Sequence, residues 1–182
     1  MDHSKMDHSK MDHAAMGHTA AAAPETSGLV HVPPVDAPAG AKVLSYTDLK
    51  RLDRSYALNP PDRTIDIRLT GNMEKFIWSF DDRKFSESEP LQFHYGERLT
   101  LVLINDSMML HPIHLHGMWS EVYSADGRFQ MRKNTVTVQP GQRLTYRITA
   151  DAPGRWAYHC PMLYHMEAGM FREVVVGPAT GS

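Results

Sequence analysis

The chain has 182 residues, enough for one ordinary domain plus appendages, and a hydrophobic share of 42%, enough for a real core. A formal net charge of -2 argues against a nucleic-acid or anionic-membrane partner, either of which leaves a basic patch, and no apolar run is long enough to read as a membrane span. The single cysteine excludes an internal disulfide framework, so in an oxidising compartment its thiol needs burial or a metal to protect it.

The chain opens on a repeat with a period of five: Met1-Asp2-His3-Ser4-Lys5, Met6-Asp7-His8-Ser9-Lys10, Met11-Asp12-His13, then Met16-Gly17-His18. Such a segment has almost nothing to bury and is expected to be a disordered Met/His-rich tail over residues 1–20. Thioethers favour Cu(I), whereas imidazole and carboxylate suit Cu(II). Met1, His3, Met6, His8, Met11, His13, Met16 and His18 are therefore expected to capture copper, against the plainer alternative of a solvated tail or partial expression tag.

Residues 19–42 are rich in Ala, Pro and Gly, and residues 21–62 read as a linker. Within it, Tyr46 to Leu52 suggests a short helix capped by Thr47 and ended by Asn59-Pro60-Pro61-Asp62. From residue 63 to 178 the pattern is all-β, with residues 179–182 left as a terminal tail. Strand-like runs appear at Thr64 to Leu69, Phe76 to Phe80, Leu91 to His94, Arg98 to Asn105, Asn134 to Val138, Arg143 to Thr149, Gly154 to His159 and Phe171 to Val176. Turn residues at Asp81 to Lys84 and Gln139 to Gln142 separate some of them. Short strands at this spacing predict a Greek-key β-sandwich, with a helical turn between Pro161 and Ala168.

Two segments carry the chemistry. His159-Cys160-Pro161-Met162-Leu163-Tyr164-His165-Met166-Glu167-Ala168-Gly169-Met170 packs the only cysteine, two histidines and three methionines into one loop, and His111-Pro112-Ile113-His114-Leu115-His116-Gly117 adds three histidines upstream. A copper ion that shuttles one electron favours one thiolate and two imidazoles in a near-trigonal plane, with a thioether as weak axial ligand. Cys160, His165 and Met170 at five-residue intervals suit one loop folded around such an ion, while His111 reaches in from a neighbouring strand. His114 and His116 alternate by two, so on a strand both project to one face. Met108, Met109, Met118, Met162 and Met166 are expected to pack in the core or at the rim, and Trp119, Trp156 and Phe171 to supply a dry shell around the copper. His94 is expected at the surface.

These two segments, with Leu69 to Glu74 and Trp78-Ser79-Phe80 upstream, resemble the C-terminal cupredoxin domain of periplasmic multicopper oxidases of the bacterial copper-resistance type, over about residues 43 to 177. The resemblance implies a cupredoxin-like sandwich, a periplasmic location and a blue (type 1) copper held by His111, Cys160, His165 and, axially, Met170. It also implies roles for His114, His116 and His159 at the trinuclear cluster where oxygen is reduced. Nothing at Met1 itself resembles a secretory signal.

The family pattern places a histidine directly after the cysteine, and here that position is Pro161, which cannot ligate a metal. The other half of the cluster comes, in the family, from an N-terminal domain with two His-x-His pairs that this sequence does not contain. An intact oxygen-reducing cluster is therefore not encoded here. The leading expectation is a copper-binding, redox-active domain that exchanges single electrons with a redox partner protein or small donor. The alternatives are an oxidase completed by a partner chain or homo-oligomer, and a copper-sequestering protein acting through its tail.

Overall fold

The protein is described from a computed structural model, which covers residues 38–41, 60–123 and 127–178. The copper-capture residues of the tail, the helix expected over Tyr46 to Leu52, most of the linker and the last four residues lie outside the described residues. Eleven strands form among the described residues: β1 (Arg63–Asn72), β2 (Ile77–Phe80), β3 (Leu91–His94), β4 (Arg98–Asn105), β5 (His111–Leu115), β6 (Ser120–Tyr123), β7 (Phe129–Lys133), β8 (Thr135–Val138), β9 (Arg143–Thr149), β10 (Gly154–His159) and β11 (Phe171–Gly177). One short α-helix, α1 (Leu163–Glu167), sits in the loop between β10 and β11, where the helical turn was expected.

The strands make two sheets, one in the order β2-β1-β4-β9-β6-β7 and the other β3-β11-β10-β5-β8. Most neighbours are antiparallel, but β1 runs parallel to β4 and β3 parallel to β11. This is the cupredoxin-like sandwich that the resemblance implies. Alternation drives it: β9 and β11 each bury every second residue, so one face of each strand enters the core and the other meets solvent. The central strand β4 is buried almost throughout, because β1 and β9 flank it on both sides. Each large apolar side chain withdrawn from water, such as Leu101, Leu103 or Leu144, contributes about 1.5–3 kcal/mol.

The sequence reading undercounts the strands for a physical reason. In β6, Glu121 is almost fully buried, yet a glutamate reads as a surface residue. Its carboxylate accepts a 2.5 Å hydrogen bond from the buried Arg98 guanidinium, which also reaches the Tyr123 hydroxyl at 2.8 Å. Burial of that pair is tolerable only because each charge is met by the other. Strand β7, Phe-Gln-Met-Arg-Lys, has no clean alternation to read. The second strand starts at Ile77 and not Phe76, because Phe76 closes a tight turn with φ of 49° and its ring half exposed.

Between the sheets, Tyr146 and Tyr158 are fully buried and share a hydrogen bond of 2.7 Å between their hydroxyls, with the Tyr158 ring stacked on Phe80 at 5.3 Å. Each phenol is the other's partner, so removing one leaves a buried hydroxyl unsatisfied. Tyr146→Phe is expected to lower unfolding free energy by about 1–3 kcal/mol in urea titrations, and the double change with Tyr158→Phe to cost less than the two single changes added together.

Candidate metal centre

Strand β5 separates the upstream histidines by its pleat. His111, Ile113 and Leu115 face the core, whereas Pro112 and His114 face outward and His116 continues that outer row just past the strand end. Strand β10 and the residue after it do the same: Tyr158 and Cys160 are buried, and His159 lies on the outer side. His159 and His114 are directly opposite each other across the β10–β5 pair. The expected ligands therefore fall into two groups on opposite faces of one sheet.

The inner group is His111, Cys160 and His165, all buried, with their ligand atoms within 4.8 Å of one another. Cys160 Sγ lies 4.0 Å from His111 Nδ1 and 3.7 Å from His165 Nδ1, and the two Nδ1 atoms are 3.0 Å apart. A trigonal ion with nitrogen bonds of about 2.0 Å and a sulfur bond of about 2.3 Å calls for S–N separations of about 3.7 Å and an N–N separation of about 3.5 Å. The observed triangle is within about half an ångström of that, so these three side chains fit a metal with little rearrangement. A thiolate with two imidazoles selects a soft or borderline transition ion such as copper or zinc over a hard cation.

Met170 is fully buried at the end of the same loop. The loop is closed on itself: the Cys160 amide donates to Met170 O at 3.2 Å, and the Met170 amide to His165 O at 2.9 Å. Gly169 has φ of 126°, and a Cβ there would stand 2.9 Å from the Trp78 carbonyl oxygen, so the loop packs against β2 at a point only glycine allows.

The shell around the triangle differs from the one expected. Trp78 on β2 lies stacked on His165, centroids 4.5 Å apart and 19° between planes, with exposed Tyr164 edge-to-face with it at 5.3 Å. Trp119 is more than half exposed, Trp156 packs over Gly117, and Phe171 stacks on His159. Of Trp78, Trp119, Trp156 and Phe171, it is Trp78 that stacks on a ring of the inner group. On the other imidazole, His111 Nε2 meets Ser107 Oγ at 2.6 Å, and Ser107 in turn meets Asn105 Oδ1 at 2.8 Å. Sequence reading missed both contacts; the only local signal is a pair of small polar residues between an apolar strand and the histidine segment. Of the five methionines expected to pack, Met118 is in the core and Met109 packs against it, whereas Met108 is strongly exposed and Met162 borders on exposed.

Electrostatics keep the inner group neutral. Burial, and then neighbouring His165, pull His111 down to about 4, and burial lowers His165 as well. Burial pushes the Cys160 thiol up to about 11, with the Met162 amide working the other way. The imidazoles thus carry no positive charge to repel a metal at neutral pH, and the thiol must release a proton to bind one.

The outer group, His114, His116 and His159, is loosely gathered. Ring centroids are 4.5 to 5.8 Å apart, and the Nε2 atoms of His116 and His159 lie 3.0 Å from each other. His114 Nδ1 meets the Asn134 carbonyl oxygen at 2.5 Å. Pro161 follows Cys160 at an exposed position and brings no donor.

Residues 59–180 match the family model described as multicopper oxidase. The chain is 59% identical over 137 residues to a copper resistance protein A homolog of Pseudomonas syringae pv. tomato, and 58% identical over the same length to copper resistance protein A of Escherichia coli. Each alignment takes in 75% of this chain and 23% of the relative, so the chain spans about a quarter of the length of the curated relatives it matches. Among solved structures, a multicopper oxidase from Campylobacter jejuni superposes with a TM-score of 0.59 at 22% identity, covering 66% of this chain and 31% of that one.

His111 carries a pH prediction for the metal-free protein. An unfolded histidine titrates near 6.5 and the folded one near 4, so between these values the unfolded chain binds more protons. Stability is then full above about pH 6.5 and declines as pH falls toward 4, by about 3 kcal/mol in all. Urea midpoints at pH 7 and pH 4.5 check this; the same midpoint at both would contradict it.

Proposed function

This chain belongs to the multicopper oxidase family, and from that premise we propose that it is a copper-binding, redox-active domain acting in copper resistance or homeostasis, with one type 1 copper held by His111, Cys160, His165 and, axially, Met170. The observation that carries the reading is the buried triangle of one sulfur and two nitrogens, closed within 4.8 Å. Copper bound there would supply a one-electron couple.

The residues do the rest. Cys160 gives up its proton to become the thiolate, while His111 and His165 donate without losing one. The closed loop and the Trp78 ring hold the donors where they are, and a frame that does not move costs little reorganisation when charge changes. The apolar surroundings exclude water from the sulfur. A periplasmic location and a redox partner protein or small electron donor complete the proposal, by similarity to the copper resistance proteins.

A second reading, an oxidase whose cluster is completed by another chain or by a homo-oligomer, draws on the gathering of His114, His116 and His159. It is also supported by His159 Nδ1, which is buried and has no hydrogen-bond partner among the described residues. Against it, Pro161 withholds one donor on the cysteine's other side. Oxygen uptake with Cu(I), together with more than one tightly held copper per chain beyond the tail's share, is the result that would favour it. A third reading, sequestration by residues 1–20, requires most copper binding to vanish when they are deleted.

The copper reading is tested by titrating the full chain with Cu(II) while following visible absorption and electron paramagnetic resonance. One intense thiolate band saturating at one copper, and lost in Cys160→Ser, is the expected outcome. A colourless wild type with the same spectrum as Cys160→Ser would overturn it.

A further inference from the structure

A single hydrogen decides whether His111 can donate to a metal at all. A neutral imidazole carries its proton on one ring nitrogen and a lone pair on the other, and the choice is set by what the far nitrogen meets. Here the far nitrogen meets a hydrogen-bond network that favours one arrangement.

Asn105 starts it. Its Nδ2 donates to the Met109 carbonyl oxygen at 2.8 Å and the Val138 carbonyl oxygen at 3.1 Å, and its Oδ1 accepts from the Ser107 amide at 3.0 Å. Reversing the amide would set an oxygen against two carbonyl oxygens and an NH2 against an N–H, so the orientation is fixed. Ser107 has one hydroxyl hydrogen. It can go to Asn105 Oδ1 at 2.8 Å, to Met109 O at 3.1 Å or, if that nitrogen is bare, to His111 Nε2 at 2.6 Å, but the last choice would leave Ser107 Oγ against two pure acceptors with no hydrogen between the oxygens. The two lone pairs of Ser107 Oγ then face the Met109 amide at 3.3 Å and His111 Nε2 at 2.6 Å. With its own hydrogen committed, Ser107 Oγ can only accept from His111.

We infer that Ser107, oriented by Asn105, is a positioning residue that holds His111 as the Nε2–H tautomer and so presents a bare Nδ1 to the metal position before any ion arrives. The inference rests on the proposed role of His111 as a ligand. It also fixes its neighbour: His165 Nδ1 lies 3.0 Å from His111 Nδ1, and two lone pairs at that distance repel, so His165 carries its hydrogen on Nδ1 and donates it. His111 is preset for metal, and His165 is the ligand that must hand over its place.

The test is a long-range proton–nitrogen correlation of the histidine rings in the metal-free, nitrogen-15-labelled full chain. The expected pattern is a protonated Nε2 on His111 and a protonated Nδ1 on His165. A hydrogen on His111 Nδ1 would overturn the inference. Ser107→Ala is expected to mix the two His111 tautomers and weaken copper binding by about 10- to 100-fold, with Ser107→Thr restoring both. An alanine variant that keeps the wild-type tautomer and affinity would overturn the role of Ser107, and if that variant fails to fold, the wild-type pattern alone decides. The ring spectrum needs no copper. A failed copper reading therefore shows as the inferred tautomer without the blue band, and a failed inference as the blue band with the hydrogen on His111 Nδ1.

Discussion

Three polar, metal-seeking side chains are buried together at the end of an apolar sandwich, and most local features of that end follow from keeping them there. Burial of a thiol and two imidazoles is costly unless each is uncharged or partnered. The molecule meets that condition in several ways: a protonated thiol, neutral rings, a hydroxyl hydrogen-bonded to one imidazole and an indole stacked on the other. The same features leave the donor atoms converging on one point. A site that tolerates its own burial when empty is also a site that needs little adjustment when filled.

The pleat of two strands divides the histidines between two faces. Because successive side chains alternate, His111 and Cys160 enter the core while His114, three residues after His111, and His159, one before Cys160, meet each other on the outer surface. The covalent chain thus runs from one face to the other at His159-Cys160 with no intervening residue. On the far side of the cysteine, Pro161 ends the symmetry that two flanking histidines would create. Three donors converge on the inner face, and three rings stand together on the outer one.

Much of this was legible in sequence. The spacing of Cys160, His165 and Met170, and the alternation of His114 with His116, are local patterns that survive projection onto one dimension. Strands β9, β10 and β11 were visible because one face of each is apolar. What could not be read depends on partners far along the chain. Glu121 hides β6 because its charge is answered by Arg98, and Trp78 reveals its place over His165 only once β2 lies against the ligand loop. Ser107 is four residues from His111 and looks like any loop serine until Asn105, held by a carbonyl of β8, fixes its hydroxyl.

The parallel pairing of β3 with β11 carries a consequence for how the chain reaches this state. Leu91 and Val174 sit side by side although more than eighty residues separate them, and β11 is also the strand that pins the end of the ligand loop. Pairings of such range close late, since the entropy of the intervening chain must be lost before they return anything. Until the sandwich that buries it has closed, the sole thiol is open to stepwise oxidation to sulfenic and sulfinic acid. Speed of closure therefore protects the cysteine as much as final stability does, and a nascent chain's yield of usable sites depends on winning that race.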